Sequence, residues 1–237
     1  MKKIFIPLIF LSISAAAAGR EFTVRRFDFF SAQQVKRQWM HKGKQFGIPH
    51  TKFYVVKSPE AGDGKALAVE TKSSSGVFIT RITDDIWQNY PIMRWRWRIL
   101  KKVKYSGTEP DDQAAVIYFG DGSMLKQFMV AYRWEHAFSL GDESLLKYAM
   151  GSTLVHRICM RNKEAVAGKW YEEERNVVED FKRAFGRIPE GDCGLTIGGN
   201  SQYSKSSTLV EIDFIEFRSK KKNTSRKTQI AERKNNR

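Results

Sequence analysis

Short strands at turn-punctuated intervals, one amphipathic helix and no internal repeat predict an all-β fold for this 237-residue chain: an antiparallel β-sandwich of jelly-roll type with one short helix. The pattern is clearest over 91–120. Met93, Trp95, Trp97 and Ile99 alternate with Arg94, Arg96 and Arg98, and a period of two gives a strand one apolar and one charged face. After a polar loop ending in Glu109, Pro110, Asp111 and Asp112, residues 114–119 are apolar on both parities, as in a central strand covered on both faces. This reading sets the arginine row beside a core strand.

The other elements follow in order. Phe22, Val24, Phe27 and Phe29 mark an opening strand over 21–30, whereas 33–49 has mixed pattern and reads as irregular, with Trp39 its one large anchor. Strands are expected at 52–57, at 66–71 after the turn 61–64, and at 76–82 after a serine cluster. Asp121-Gly122 between two apolar runs signals a hairpin from 114–119 into 127–134. Residues 135–151 read as a long loop with a helical turn at 144–150, followed by a strand at 153–160. A further strand over 170–175 runs into a helix in which Val177, Phe181 and Phe185 recur at helical spacing, with Gly186 as the stop. Strands at 194–198 and 208–217 finish the set, ten or eleven in all. The first and last strands are expected to pair.

Three regions are expected along the chain. Lys2 and Lys3, an apolar run over 4–13 and the alanines at 15–18 have the layout of a secretory signal peptide occupying 1–18, too short to span a bilayer. The domain would cover 19–217 and a disordered basic tail 218–237, with the mature protein periplasmic or secreted. Of the net charge of +15, two lysines lie in the leader and a net of eight in the last twenty residues, which leaves five on the folded part. That is too mild to make nucleic acid the leading partner. The tail is suited to an anionic envelope surface. In an oxidising compartment Cys159 and Cys193 are open to a disulfide or to burial as free thiols, and no zinc spacing is present.

The Trp95-x-Trp97 strand, Asp111-Asp112 ahead of an apolar strand, Tyr132-x-Trp134, and Trp170 followed by Glu173, Arg175, Asn176, Asp180, Phe185 and Gly186 resemble a bacterial family. It is catalogued as domain of unknown function three thousand and forty-seven. The resemblance runs from about Phe27 to Phe217 and is most specific over 170–186. It implies an exported protein of this fold with no established activity or cofactor. Where an Asp-x-Asp-Asn-like segment is expected, this chain has Gly198-Gly199-Asn200-Ser201, which weakens the case for a metal there.

Sandwiches of this type suit sugars, because aromatic rings stack on pyranose faces while polar groups fix orientation. The candidate ligand-binding residues are Arg94, Arg96, Asp112, Tyr132, Trp134, Glu173, Arg175 and Tyr203. An arginine row would favour an acidic polysaccharide, since the guanidinium fork matches a carboxylate. The bland alternatives are that Trp95 and Trp97 are core, the arginines a solvated face, Glu173 and Arg175 a structural ion pair, and Asp112 a cap. An enzymatic alternative is a polysaccharide lyase with Tyr132, Tyr203, His136 or His156 as base, or a hydrolase pairing Glu173 with Asp112. Asp213 is a candidate for structural calcium. No nucleophile elbow or phosphate-binding loop is present.

Overall fold

A computed structural model describes residues 23–42, 46–103, 111–123 and 125–220, and residues 23–220 form one compact unit. The leader, the turn at Glu109-Pro110 and the tail beyond 220 lie outside the described residues. Two sheets pack face to face, as expected for a sandwich.

The first sheet is built from β1 (Thr23–Asp28), β3 (Lys52–Lys57), β4 (Lys65–Lys72), β6 (Ile92–Lys101), β11 (Tyr171–Asn176) and β13 (Ser207–Arg218). Its order is β11-β6-β13-β4-β3, with β1 also on β13. The first and last strands pair as expected, antiparallel with Phe27 opposite Ile215. The second sheet, β2-β5-β12-β7-β8-β10-β9, comprises β2 (Met40–Lys42), β5 (Ser75–Ile82), β7 (Gln113–Gly122), β8 (Gln127–Trp134), β9 (Glu143–Tyr148), β10 (Thr153–Arg161) and β12 (Cys193–Asn200). All ladders are antiparallel except β8 with β10, which is parallel.

Several local expectations are corrected. β6 and β7 are consecutive in sequence but belong to opposite sheets, so the arginine row lies beside β11 and β13 rather than beside the 114–119 strand. The expected irregular segment contains α1 (Ala32–Gln38), capped by Ser31, whose hydroxyl accepts from the Gln34 N–H. A short helix α2 (Asp84–Asn89) buries Trp87. The expected loop over 135–151 contains β9, an edge strand held by pairing with β10, and a short 3₁₀ turn at Ala149–Gly151. Asp121-Gly122 stays in the ladder opposite Phe128 and Gln127, and the Ser123 N–H beyond it donates to the Lys126 carbonyl.

The expected helix is α3 (Val177–Phe185). Asn176 caps its start, accepting from the Glu179 N–H, and Gly186 ends it in the left-handed region at φ 72°. Between the sheets, Trp97 packs edge-on against Trp95 and Trp134, and Trp95 lies 5.1 Å from the Tyr132 ring. These rings are fully buried, and each such side chain contributes roughly 1.5–3 kcal/mol on leaving water.

Cys159 and Cys193 are buried and free. They sit on β10 and β12, three positions apart in one sheet and five residues out of register along it, so roughly 20 Å distant and beyond disulfide reach. Burial pushes each thiol up to about 12. Among the described residues, no helix is long and apolar enough to cross a membrane.

Candidate functional site

The arginine row is neutralised from within the protein. β13 presents Glu211, Asp213 and Glu216 on the outer face of the first sheet, each buried. Arg98 pairs with Glu211 at 2.9 Å and with Glu60, and Arg96 with Asp213 at 2.8 Å. Arg94 pairs with Glu216 and Glu172, and Arg26 reaches Glu216 at 2.8 Å. A bulge between Ile212 and Phe214 makes this possible. Without it, Glu216 would have the parity of the core-facing residues. The Gly62 N–H donates to both Asp213 oxygens, and the Trp170 ring lies 4.7 and 4.6 Å from the Arg96 and Arg98 guanidinium carbons. Asp213, the calcium candidate, is thus taken by an arginine and a backbone donor. Among the described residues no group of acidic, histidine or cysteine side chains could hold a metal ion.

Tyr132 and Trp134 are core residues, with exposures of 0% and 1%, and offer no stacking surface. The Tyr132 hydroxyl donates to Asp180, and burial first, then the Asp180 charge, push its pKa well up. Glu173 and Arg175 do not pair with each other. Glu173 accepts from the Trp97 indole and from Arg161, while Arg175 grips Asp180 at 2.8 and 2.7 Å. Burial works to raise the Asp180 pKa, but Arg175, Tyr132 and Arg183 outweigh it and hold the carboxyl below its ordinary value. His156 pairs with Glu143, which Arg183 of α3 also contacts.

Asp112 and Tyr203 lead to a different place. Asp112 is buried and accepts from the backbone N–H groups of Tyr203 and Ser204, holding the loop after β12. Tyr203, half-exposed, then stands at the mouth of a cavity of about 200 Å³ on the outer face of the second sheet. Gln113, Tyr118, Arg133, Tyr148, Asn200 and Gln202 line it.

The sheet curls around this cavity. The Tyr148 hydroxyl on β9 donates to Asp111, just ahead of β7, although β10 and β8 lie between those strands. On a flat sheet that separation is roughly 14 Å, beyond the reach of these side chains. The face is therefore concave. Leu146 and Tyr148 close over Val116, Ala131 and Val155, which are buried although they point away from the sandwich core.

Beneath the wall lies a buried charge cluster. Arg133 pairs with Glu135 at 3.0 Å, Arg157 approaches the same carboxylate at 3.7 Å, and Arg133 also donates to Gln113 in the lining. Burial raises the Glu135 pKa against the pull of the two arginines. Burial also raises Tyr118 and Tyr148, the latter reinforced by its bond to Asp111. Asn200 bridges outward to the Asp111 carbonyl and inward to the Gln202 N–H. The Gln202 side-chain carbonyl, on a residue 8% exposed, accepts no hydrogen bond among the described residues. A buried acceptor without a donor is costly, by about 1–3 kcal/mol, and a ligand hydroxyl would satisfy it.

Sequence reasoning reached only the loop residues Asp112 and Tyr203. It missed Tyr118, Arg133, Tyr148, Asn200 and Gln202. The strand parity of Tyr118 and Arg133 was readable, but nothing local said that their face is concave.

The family described as protein of unknown function (DUF3047) matches residues 37–216. No curated protein matches the chain. Among solved structures it is similar to a family 11 carbohydrate-binding module from Clostridium thermocellum in complex with a mixed-linked tetrasaccharide, at 10% identity over 83% of this chain and 94% of that one, TM-score 0.42. It is also similar to the tandem CBM22 domains of Paenibacillus barcinonensis Xyn10C, at 11% identity over 90% of this chain and 50% of that one, TM-score 0.41. A third is a conserved carbohydrate esterase from the Shiga toxin-encoding bacteriophage phi24B, at 12% identity, 84% and 99% coverage, TM-score 0.38. These likenesses concern the path of the chain and not its site.

Proposed function

The chain belongs to the DUF3047 family of proteins of unknown function, and we propose that it is a carbohydrate-binding protein whose site is the cavity on the concave face of the second sheet. The observation that carries this reading is the lining itself: two amides from Asn200 and Gln202, a third from Gln113, the rings of Tyr118, Tyr148 and Tyr203, and the orphan Gln202 acceptor. Fixed amides and hydroxyls beside aromatic edges are what a polyhydroxylated ring needs, with polar groups for orientation and rings for its apolar face. In the exported compartment that the leader implies, such a protein meets glycans of the envelope or surroundings. The basic tail would add weak, salt-sensitive contact with an anionic surface.

Binding is favoured over lyase chemistry. A tyrosine that removes a proton must reach its anion near neutral pH, and the surroundings of Tyr132, the buried candidate base, and of Tyr118 and Tyr148 in the cavity push the other way. The hydrolase pairing is disfavoured too, because Glu173 and Asp112 are both committed, to Arg161 and to two backbone donors.

The test is a glycan array followed by calorimetry on the mature protein without 221–237, since the folded unit runs to Lys220. A saccharide should be retained, and Gln202→Leu or Tyr203→Ala should weaken it about tenfold or more. Retention unchanged by both substitutions, or no saccharide retained at all, removes this reading.

A further inference from the structure

Resting on that reading, we propose that the cavity is one end of an extended groove that takes an uncharged, linear oligosaccharide along β12. The register supports this. On the outer face of the second sheet, Gly198 lies between Val77 of β5 and Val116 of β7, Thr196 between Ile79 and Tyr118, and Gly194 between Arg81 and Gly120. The central strand thus presents glycine, threonine, glycine toward solvent while its neighbours, Gly120 apart, carry larger side chains. Gly198 and Thr196 are buried although they face outward, because the neighbours rise above them. A floor of small residues between taller rows is a trough running along the strand.

Further hollows lie along the same strand. A hollow of about 160 Å³ lies beside Ile79, Gly120, Met129, Gly194 and Thr196, and an adjoining one of about 360 Å³ shares Ile79, Asp192 and Gly194. From the Gly198 row to the Gly194 row is four residues, roughly 13 Å of strand, so a ligand filling the length must be a chain and not a single ring.

Its charges are matched internally. Arg133 faces Glu135, Arg81 pairs with Asp192, and Arg187 grips Asp121 at 2.7 Å through both arms. Asp111 takes the Tyr148 hydroxyl, and Lys42 stands exposed at the rim. Among the described residues the arginines of the wall are already paired and Lys42 at the rim is the cation left to an entering polyanion, so a neutral chain is favoured over the acidic polymer suggested by the arginine row.

The probes are gluco- and xylo-oligosaccharides, as disaccharides and hexasaccharides, with galacturonate oligomers of the same lengths, titrated against the protein without 221–237. A Cβ at Gly194 meets only the Ile79 methyl at 3.5 Å and the Gly120 carbonyl at 3.9 Å, so Gly194→Tyr fills the trough without a clash at the backbone. Met129→Trp on the wall provides a second block if the first fails to fold. Neutral hexasaccharides should bind about tenfold tighter than disaccharides, which corresponds to roughly 1.4 kcal/mol, and either block should remove that advantage while leaving the disaccharide unchanged. Gln202→Leu should weaken both lengths. Equal affinity for the two lengths, or blocks without effect, overturns the groove and leaves the cavity reading standing. Preference for galacturonate overturns the neutral specificity, and no binding of any saccharide overturns groove and cavity together.

Discussion

Replacing Arg96 by methionine separates a structural arginine from a ligand-binding one. In the folded protein the Asp213 carboxylate, 2% exposed, receives one Arg96 nitrogen at 2.8 Å and the Gly62 N–H at 3.1 Å to each oxygen. Methionine keeps most of the stem volume and removes the charge, leaving a buried carboxylate on a single backbone donor. Breaking a buried pair from one side costs about 3–5 kcal/mol. The Arg96 side chain is 24% exposed, so water can partly replace it and the lower end, about 3 kcal/mol, is expected. For a domain of this size that corresponds to a Tm lower by roughly 6–12 °C. The assay is urea unfolding of wild type, Arg96→Met, Asp213→Leu and the double variant. The double variant should regain most of the loss, because exchanging both partners for apolar groups leaves no orphan charge. Saccharide binding by the folded fraction should not change. A loss below about 1 kcal/mol, or a double variant as unstable as the sum of the singles, would refute the argument that the arginine row is a buried charge ladder.

Other perturbations test other parts of the structure. Gly120→Ala places a Cβ 2.0 Å from the Phe128 carbonyl, a backbone atom that cannot swing aside, and should destabilise by about 1–3 kcal/mol or more in the same urea assay. Iodoacetamide at mild alkaline pH should leave Cys159 and Cys193 unlabelled in native protein and label both in urea, as counted by mass spectrometry, since burial raises both thiols to about 12. Asp180→Asn should flatten the acid limb of the stability profile. The folded pKa of Asp180 lies below its ordinary 3.8, so its contribution is fully present above that value and is lost as pH falls through the lower, folded one. Glu135 acts in the opposite sense. Its raised folded pKa means that stability declines as pH rises from 4.5 through the folded value, a decline that Glu135→Gln should abolish in urea titrations between mild acid and neutrality.

The amino-acid sequence alone determined which faces are apolar. Period-two alternation in 91–99 requires Trp95 and Trp97 to share the buried side, whatever strand lies next to them. The same local chemistry set α3, through Asn176 at its start and Gly186 at its end. Strand pairing was not local. β6 could be read as a neighbour of β7 because the two are consecutive, and only the packing of whole sheets sends them to opposite layers. The arginine row shows the consequence: its buried partners on β13 lie more than a hundred residues later, and the bulge at Ile212 and Phe214 changes the parity of Glu216 so that the acids line up with the arginines. The cavity belongs to the tertiary structure for the same reason. Tyr118, Arg133, Tyr148 and Gln202 come from separate segments, and it is the curl of the second sheet that brings Tyr148 to Asp111. Alternation fixes on which side of a strand a residue stands; the curvature of that side is set by the twist summed over every strand in the sheet.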